Sequence, residues 1–257
     1  MKNPRHKAIL DILASGGDTS VQDLAGRFGV SLMTIRRDLA LLEREGELTR
    51  THGGAVLSKA GVVEFAFEAR AKEHAAEKRA IGEAVASMIR PGMAISLDTG
   101  STTLEVARAT VLALGNRDPL TVLTSSLVIA SALYAHDNVD LVLLGGTARK
   151  GSPDLTGWLT EENLKRFRVD LAVLGADGLT QDGAFTTDVN VARVSQAMAA
   201  GAQRTVLAAD HSKFEKTAFV CFAPWTKFTH VVTDDQVPPP VRRWLNKAVK
   251  HVVYANP

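Results

Sequence analysis

A single cysteine, Cys221, stands in the 257 residues, so no intrachain disulfide can form, which fits a reducing compartment. Its setting, "AFVCFAP", leads us to expect a buried thiol in a strand. Long apolar runs are missing, and no segment approaches the length of a membrane span. The opening "MKNPRHKAILDILASGGD" has no apolar core of a secretion signal and carries helix-start signals instead. A cytoplasmic location is therefore expected. An excess of one charge is also missing. With 23% charged residues and a net charge of only +2, any nucleic-acid contact must come from a local basic surface. Internal repeats and low-complexity tracts are absent. So are the patterns G-x-x-x-x-G-K, G-x-G-x-x-G and HExxH, and clustered Cys/His ligands, so neither a cofactor nor a metal is expected. What remains is 46% hydrophobic residues, ample for one large domain or two ordinary ones.

Three short helical patterns open the chain. Asn3 can cap the first, with Pro4 at the position where a missing N–H costs nothing. Ile9, Ile12 and Leu13 supply its apolar stripe, and Gly16-Gly17 stop it. "SVQD" reads as a capping box of Ser20 with Asp23, with Val21, Leu24, Ala25 and Phe28 on one face and Gly29 as the stop. Ser31 caps a third helix that runs to about Glu45, before Gly46. Helix, glycine turn, helix is the spacing of a helix-turn-helix.

On a wheel of roughly 100° per residue, Ile35, Leu39 and Leu42 of the third helix share a narrow sector that must face a core. Met33, Arg37, Ala40 and Arg44 lie opposite, with Thr34 and Arg36 on the flanks. A solvated helix face normally pairs its charges three or four residues apart. Arg36 and Arg37 have no acidic residue at those positions. Two unpaired guanidinium groups on a face of small residues suit phosphates and guanine edges in a major groove. After this helix, Leu48 to Thr51 and Ala55 to Leu57 read as two short strands. Gly53-Gly54 is expected to supply the positive φ angles of a tight hairpin. Such a hairpin is a wing, and it would carry Arg50 and His52 to the sugar-phosphate backbone.

The stretch "VSLMTIRRDLALLEREGELTRTHGGAV" resembles the signature of DeoR-family bacterial transcription regulators, densest over Ser20 to Val56. The resemblance implies an N-terminal winged helix-turn-helix that binds operator DNA, with the helix-turn-helix at about Ser20 to Leu39 and Arg36 and Arg37 approaching the duplex. The DNA-contacting set is then Ser31, Met33, Thr34, Arg36, Arg37, Arg44, Arg50 and His52.

From Ser58 to about Ala76 the pattern loosens into a linker passing into a helix, with Phe65 and Phe67 as docking residues. The helix is expected to continue through Ile81, Val85, Met88 and Ile89 to "RPG" at Arg90 to Gly92. Beyond it, nearly continuous apolar runs alternate with helical patterns: "MAISLD", "LTVLT", "VDLVLLGG", "DLAVLGAD", "RTVLAAD", "THVVTDD" and "HVVYA". Strands of this kind, covered on both faces, indicate an α/β domain with a mostly parallel sheet.

Each run ends in small or polar residues: Asp98, Thr124-Ser125-Ser126, Gly145-Gly146, Asp177-Gly178, Asp210 and Asp234-Asp235. Ligands of open α/β sheets bind outside the carboxyl ends of the strands. In "DTGSTT", Gly100 allows a sharp turn while Ser101, Thr102 and Thr103 present hydroxyls and N–H groups at a helix start, an anion site suited to phosphate. Lys213 in "ADHSKF" is the first candidate for its positive partner and Arg149 the second. Asp98 and Asp177 could accept hydrogen bonds from sugar hydroxyls or could simply cap loops.

"DTGSTT", "LTSSLVIA", "LLGGTAR", "GADGLTQDGAFTTD" and "ADHSKF" also resemble DeoR-family segments, in the family's order. The resemblance implies a C-terminal domain similar to ribose 5-phosphate isomerases, with a phosphorylated sugar or polyol as effector. One departure is "LTSS", where many members carry asparagine in place of Ser125. The expected layout is residues 1–58 as the winged helix-turn-helix, 59–76 as linker into helix, and 77–257 as the effector domain. The expected protein is a repressor of a carbohydrate-catabolic operon, acting as a homodimer or homotetramer. The alternative is a sugar-phosphate isomerase or deaminase. That chemistry needs a placed carboxylate, for which only Asp177 and Asp188 offer themselves.

Overall fold

The computed structural model describes residues 3–16, 19–115 and 118–257. Gly17, expected to help stop the first helix, and the side chain of Phe65 lie outside the described residues. The chain forms two compact units, residues 1–69 with 150–152 and residues 70–149 with 153–257.

The first unit runs α1 (Pro4–Gly16), β1 (Thr19–Ser20), α2 (Val21–Phe28), α3 (Leu32–Arg44), β2 (Leu48–Arg50), β3 (Gly54–Leu57) and α4 (Lys59–Lys72), the last of which extends past Ala69. The caps sit where polar side chains can take the free amides at helix starts. Asn3 Oδ1 accepts the amide of Arg5, Ser20 Oγ that of Asp23, and Ser31 Oγ that of Thr34. Gly29 ends α2 at φ 62°, a left-handed conformation that favours glycine. Ile9, Leu13, Leu24, Ile35, Leu39, Leu42 and Leu48 make a single core. Burying the stripe of α3 removes three large side chains from water, worth about 1.5–3 kcal/mol each.

Gly53 and Gly54 correct one expectation, because neither adopts a positive φ. Ser20 of β1 pairs with Gly54 of β3, and a Cβ on Gly54 would drive into the carbonyl oxygen of Thr19. Glycine is required there for the close approach of a third strand. The strand order is β1-β3-β2, all antiparallel.

The second unit begins with α5 (Ala75–Ala86), β4 (Ala94–Leu97), α6 (Ser101–Leu114), β5 (Leu120–Thr124), α7 (Leu127–Leu133) and β6 (Val139–Leu143). A small hairpin, β7 (Thr147–Ala148) with β8 (Leu155–Thr156), precedes α8 (Trp158–Leu164), β9 (Val169–Leu174), β10 (Gly178–Thr180), β11 (Gly183–Thr186) and α9 (Val189–Ala200). The chain closes with β12 (Ala202–Ala208), β13 (Val220–Ala223), β14 (His230–Asp234), α10 (Pro239–Ala248) and β15 (His251–Ala255). The continuous helix expected from the linker onward is instead two, α4 and α5, separated at Glu73 and His74.

All seven apolar runs named from the sequence enter one parallel sheet of order β15-β14-β12-β9-β4-β5-β6. Leu174, Leu207 and Val231 pack with Leu164 of α8, Met198 of α9 and Leu245 of α10. Their sequence neighbours Val173, Val206 and Val232, on the opposite pleat, are equally buried outside that cluster. Both faces are covered, which is why the runs lack polar alternation. The strand order reverses between β4 and β9, so the crevice at that switch point opens at Asp98 and Gly175.

Cys221 is a second correction. It does lie in a strand, but it is exposed. β13 is an outer strand of a separate antiparallel sheet, β10-β11-β13, and its pleat turns Phe222 inward and Cys221 outward.

Candidate functional sites

The exposed side of α3 carries Leu32, Met33, Arg36, Arg37 and Arg44. Arg36 and Arg37 make no ion pair or hydrogen bond among the described residues. Ser31 and Thr34 are occupied at the helix start, where their hydroxyls meet at 2.9 Å. His52 is exposed in the hairpin turn. Arg50 is less free than expected, since its Nε donates to Glu43 at 2.8 Å and its amide to the same carboxylate at 3.1 Å. Glu43 is held below the usual carboxylate range, chiefly by that amide. The wing strand is thus clamped to α3 by a residue expected on the phosphates.

Asp38 was not singled out in the sequence. It sits among the buried residues of α3 and takes Arg5 Nε at 2.6 Å and His6 Nε2 at 3.0 Å. Burial is the largest single influence and works to raise its pKa, but the hydrogen bonds and charges of Arg5 and His6 together outweigh it and hold the group low. These contacts tie α1 to the buried side of α3.

In the second unit, Gly100 sits before α6 at φ 142° with no side-chain cap. The amides of Ser101, Thr102 and Thr103 meet no acceptor among the described residues, so the start of a 14-residue helix faces the crevice with free donors. Thr103 turns inward and donates to the Gly100 carbonyl at 3.1 Å, while Ser101 reaches towards the Arg70 carbonyl at 3.5 Å. Thr124 donates to Leu97 O, and Ser126 caps α7 through Ile129 N. Ser125, the departure from the family pattern, is fully buried with a hydroxyl that has no partner among the described residues.

Several expected contacts have structural employment. Asp98 takes the amides of Thr99 (2.8 Å) and Gly175 (3.3 Å) and the hydroxyl of Ser195 (3.3 Å). Burial pushes its pKa up to about 7 against those three donors. Asp177 accepts from Thr186 and Thr187 through one oxygen, and the residue is otherwise exposed. Arg149 forks onto Asp154 at 2.9 and 2.8 Å and so braces the β7–β8 hairpin. Gly146 gives room, because a Cβ there would meet Thr160 Oγ1, whose hydroxyl bonds Gly145 O.

Lys213 follows β12 on a short turn, half-buried, with no partner among the described residues. A second lysine lies close by. Lys78 of α5 is 3% exposed, donates to the carbonyls of Arg70 and Glu73, and has its pKa lowered by burial first, with Asp210 raising it and Lys213 lowering it. One signal could have found Lys78, since it shares the helix face of Ile81 and Val85.

The family model of the DeoR-like helix-turn-helix domain matches residues 5–60, and that of the DeoR C terminal sensor domain matches residues 73–235. The chain belongs to the DeoR family. It is a DeoR-type transcription regulator. Among DeoR relatives, the HTH-type transcriptional repressor CsqR of Escherichia coli is 34% identical over 98% of this chain and 95% of that protein. The transcriptional repressor AccR of Agrobacterium fabrum is 33% identical over 98% and 97%, and the glycerol-3-phosphate regulon repressor of E. coli is 32% identical over 92% of each chain. Among solved structures, a ribose 5-phosphate isomerase A of Methanocaldococcus jannaschii aligns over 55% of each chain at 18% identity and a TM-score of 0.41. At that distance the likeness says nothing of activity.

Proposed function

We propose that this DeoR-family regulator is a repressor of a carbohydrate-catabolic operon. Its α3 enters the major groove of operator DNA, and a phosphorylated sugar or polyol bound at the strand ends of the second unit releases it. The observation that carries this reading is the pair of arginines on the exposed face of α3 that have no partner among the described residues, backed by a core and by the Asp38 ion pair. The effector's phosphate would take the free amides in the first turn of α6, with Lys213 and Lys78 as countercharges. The free oxygen of Asp177 remains for hydroxyls, whereas Arg149 and Asp98 shape the site. Effector binding lowers DNA affinity by as much as the effector prefers the released state. A homodimer or homotetramer in the cytoplasm fits reading of paired half-sites.

Catalysis is not part of this reading. Asp188, one of the two carboxylates an isomerase could use, caps α9 through Asn190 N at 2.7 Å and Val191 N at 3.3 Å. Binding of the full-length protein to promoter fragments of its own genome, with and without a panel of phosphorylated sugars, tests the proposal. Binding that one of these compounds reverses is the expected result. Indifference to every fragment, or turnover of a sugar phosphate, would overturn it.

A further inference from the structure

Three side chains meet in the second unit, two of them three residues apart and the third far along the chain. His74 stands just before α5, Glu77 lies in its first turn, and His211 opens the turn after β12. One possible ligand atom from each lies within 4.8 Å of those of the other two. All three are partly buried, close enough to solvent for an ion to enter.

Each is held by something that orients it. His211 Nδ1 meets Asp234 Oδ1 at 2.9 Å, and Asp234 is fully buried. With its Nδ1–H donated to a fixed carboxylate, the ring keeps its Nε2 lone pair free, the arrangement that supports metal-binding histidines. Glu77 Oε1 accepts Gln236 Nε2 at 2.8 Å. His74 is the most telling of the three. Its backbone is left-handed at φ 52° and ψ 42°, and its side chain makes no capping bond to its own helix. That conformation is unfavourable for a non-glycine residue and clusters at ligand sites. It carries the ring edge-on to His211, centroids 4.7 Å apart, with Nδ1 3.9 Å from Glu77 Oε1.

We propose that His74, Glu77 and His211 bind a divalent transition-metal ion of the zinc class, leaving one position open to water or an oxygen ligand. Two imidazoles and one carboxylate suit zinc and its neighbours, while magnesium and calcium prefer oxygen alone. Bonds of about 2.0 Å in a tetrahedron bring ligand atoms to about 3.3 Å. Binding would draw the three side chains together from their present separations of up to 4.8 Å. The ion would pin the first turn of α5 to the ends of β12 and β14, beside Lys78.

The test uses full-length protein stripped with a chelator, then equilibrium dialysis against zinc chloride with metal analysis. About one zinc per chain is expected, with a raised melting temperature, since the ion binds the native state. His74→Ala and His211→Ala should each abolish uptake, and Gln236→Ala should weaken it roughly 10- to 100-fold. His230 and His251, stacked at 4.8 Å, are the rival pair, and the His230→Ala/His251→Ala double variant should bind normally. Far-UV circular dichroism with the chelator present checks that each variant is folded. Should His211→Ala fail to fold, His74→Ala, outside the sheet, decides. No uptake by the parent protein, unchanged uptake in folded His74→Ala, or loss in the His230/His251 variant overturns the proposal.

Discussion

Asp98 accepts the amide of Gly175 at 3.3 Å, a bond that joins the end of β4 to the end of β9 where the strand order reverses. The crevice is thus held at its apex by a buried carboxyl group rather than by a charge left free for ligand.

The raised pKa of Asp98, about 7, makes a pH prediction. An unfolded aspartate ionises near 3.9, so between about pH 4 and 7 the unfolded chain binds fewer protons at this site than the native one. Stability therefore falls with rising pH across that window, by at most about 1.4 kcal/mol per unit from this group. Denaturant melts of Asp98→Asn should lack this component. Parallel pH profiles for the two proteins would disprove the assignment.

For Arg36 and Arg37, the expectation concerns DNA. Each alanine substitution should cost about tenfold or more in operator affinity. The double variant should also have a shallower salt dependence, by up to about two counterions. Its thermal unfolding should be unchanged, because neither side chain supports the core. Fluorescence anisotropy across a salt series reads the DNA effects.

The two lysines separate by role. Lys213→Ala should fold and bind operator normally but ignore the inducer. Lys78→Met removes the donor from two carbonyls and should destabilise the second unit by about 1–3 kcal/mol as well as dulling the response. Differential scanning calorimetry combined with inducer titration distinguishes them.

Gly54→Ala should destabilise the first unit by about 1–3 kcal/mol through backbone collision with Thr19, whereas Gly53→Ala, with open space around its Cβ, should change little. Equal effects at the two glycines would point back to turn conformation.

The fold was legible wherever burial leaves a mark in one short stretch. Ile35, Leu39 and Leu42 recur at helical spacing, and stretches such as 171–174 of β9 are apolar throughout because both faces are covered. Roles set by distant partners left no such mark. Gly54 answers to Thr19, Arg50 to Glu43, Arg149 to Asp154, and His74 to His211, none of them readable from local pattern. Lys78 was within reach, because a cation on an apolar helix face has to find oxygen acceptors. Cys221 misled because β13 is an outer strand, where alternate residues turn to solvent.

That outward-facing thiol has a practical side. A maleimide dye can be attached to the native chain at one position, with no other cysteine to remove first. The label would stand beside Phe222, whose ring belongs to the core of the second unit. Its emission would then report on that core as small molecules are added, in a protein whose sequence is otherwise untouched.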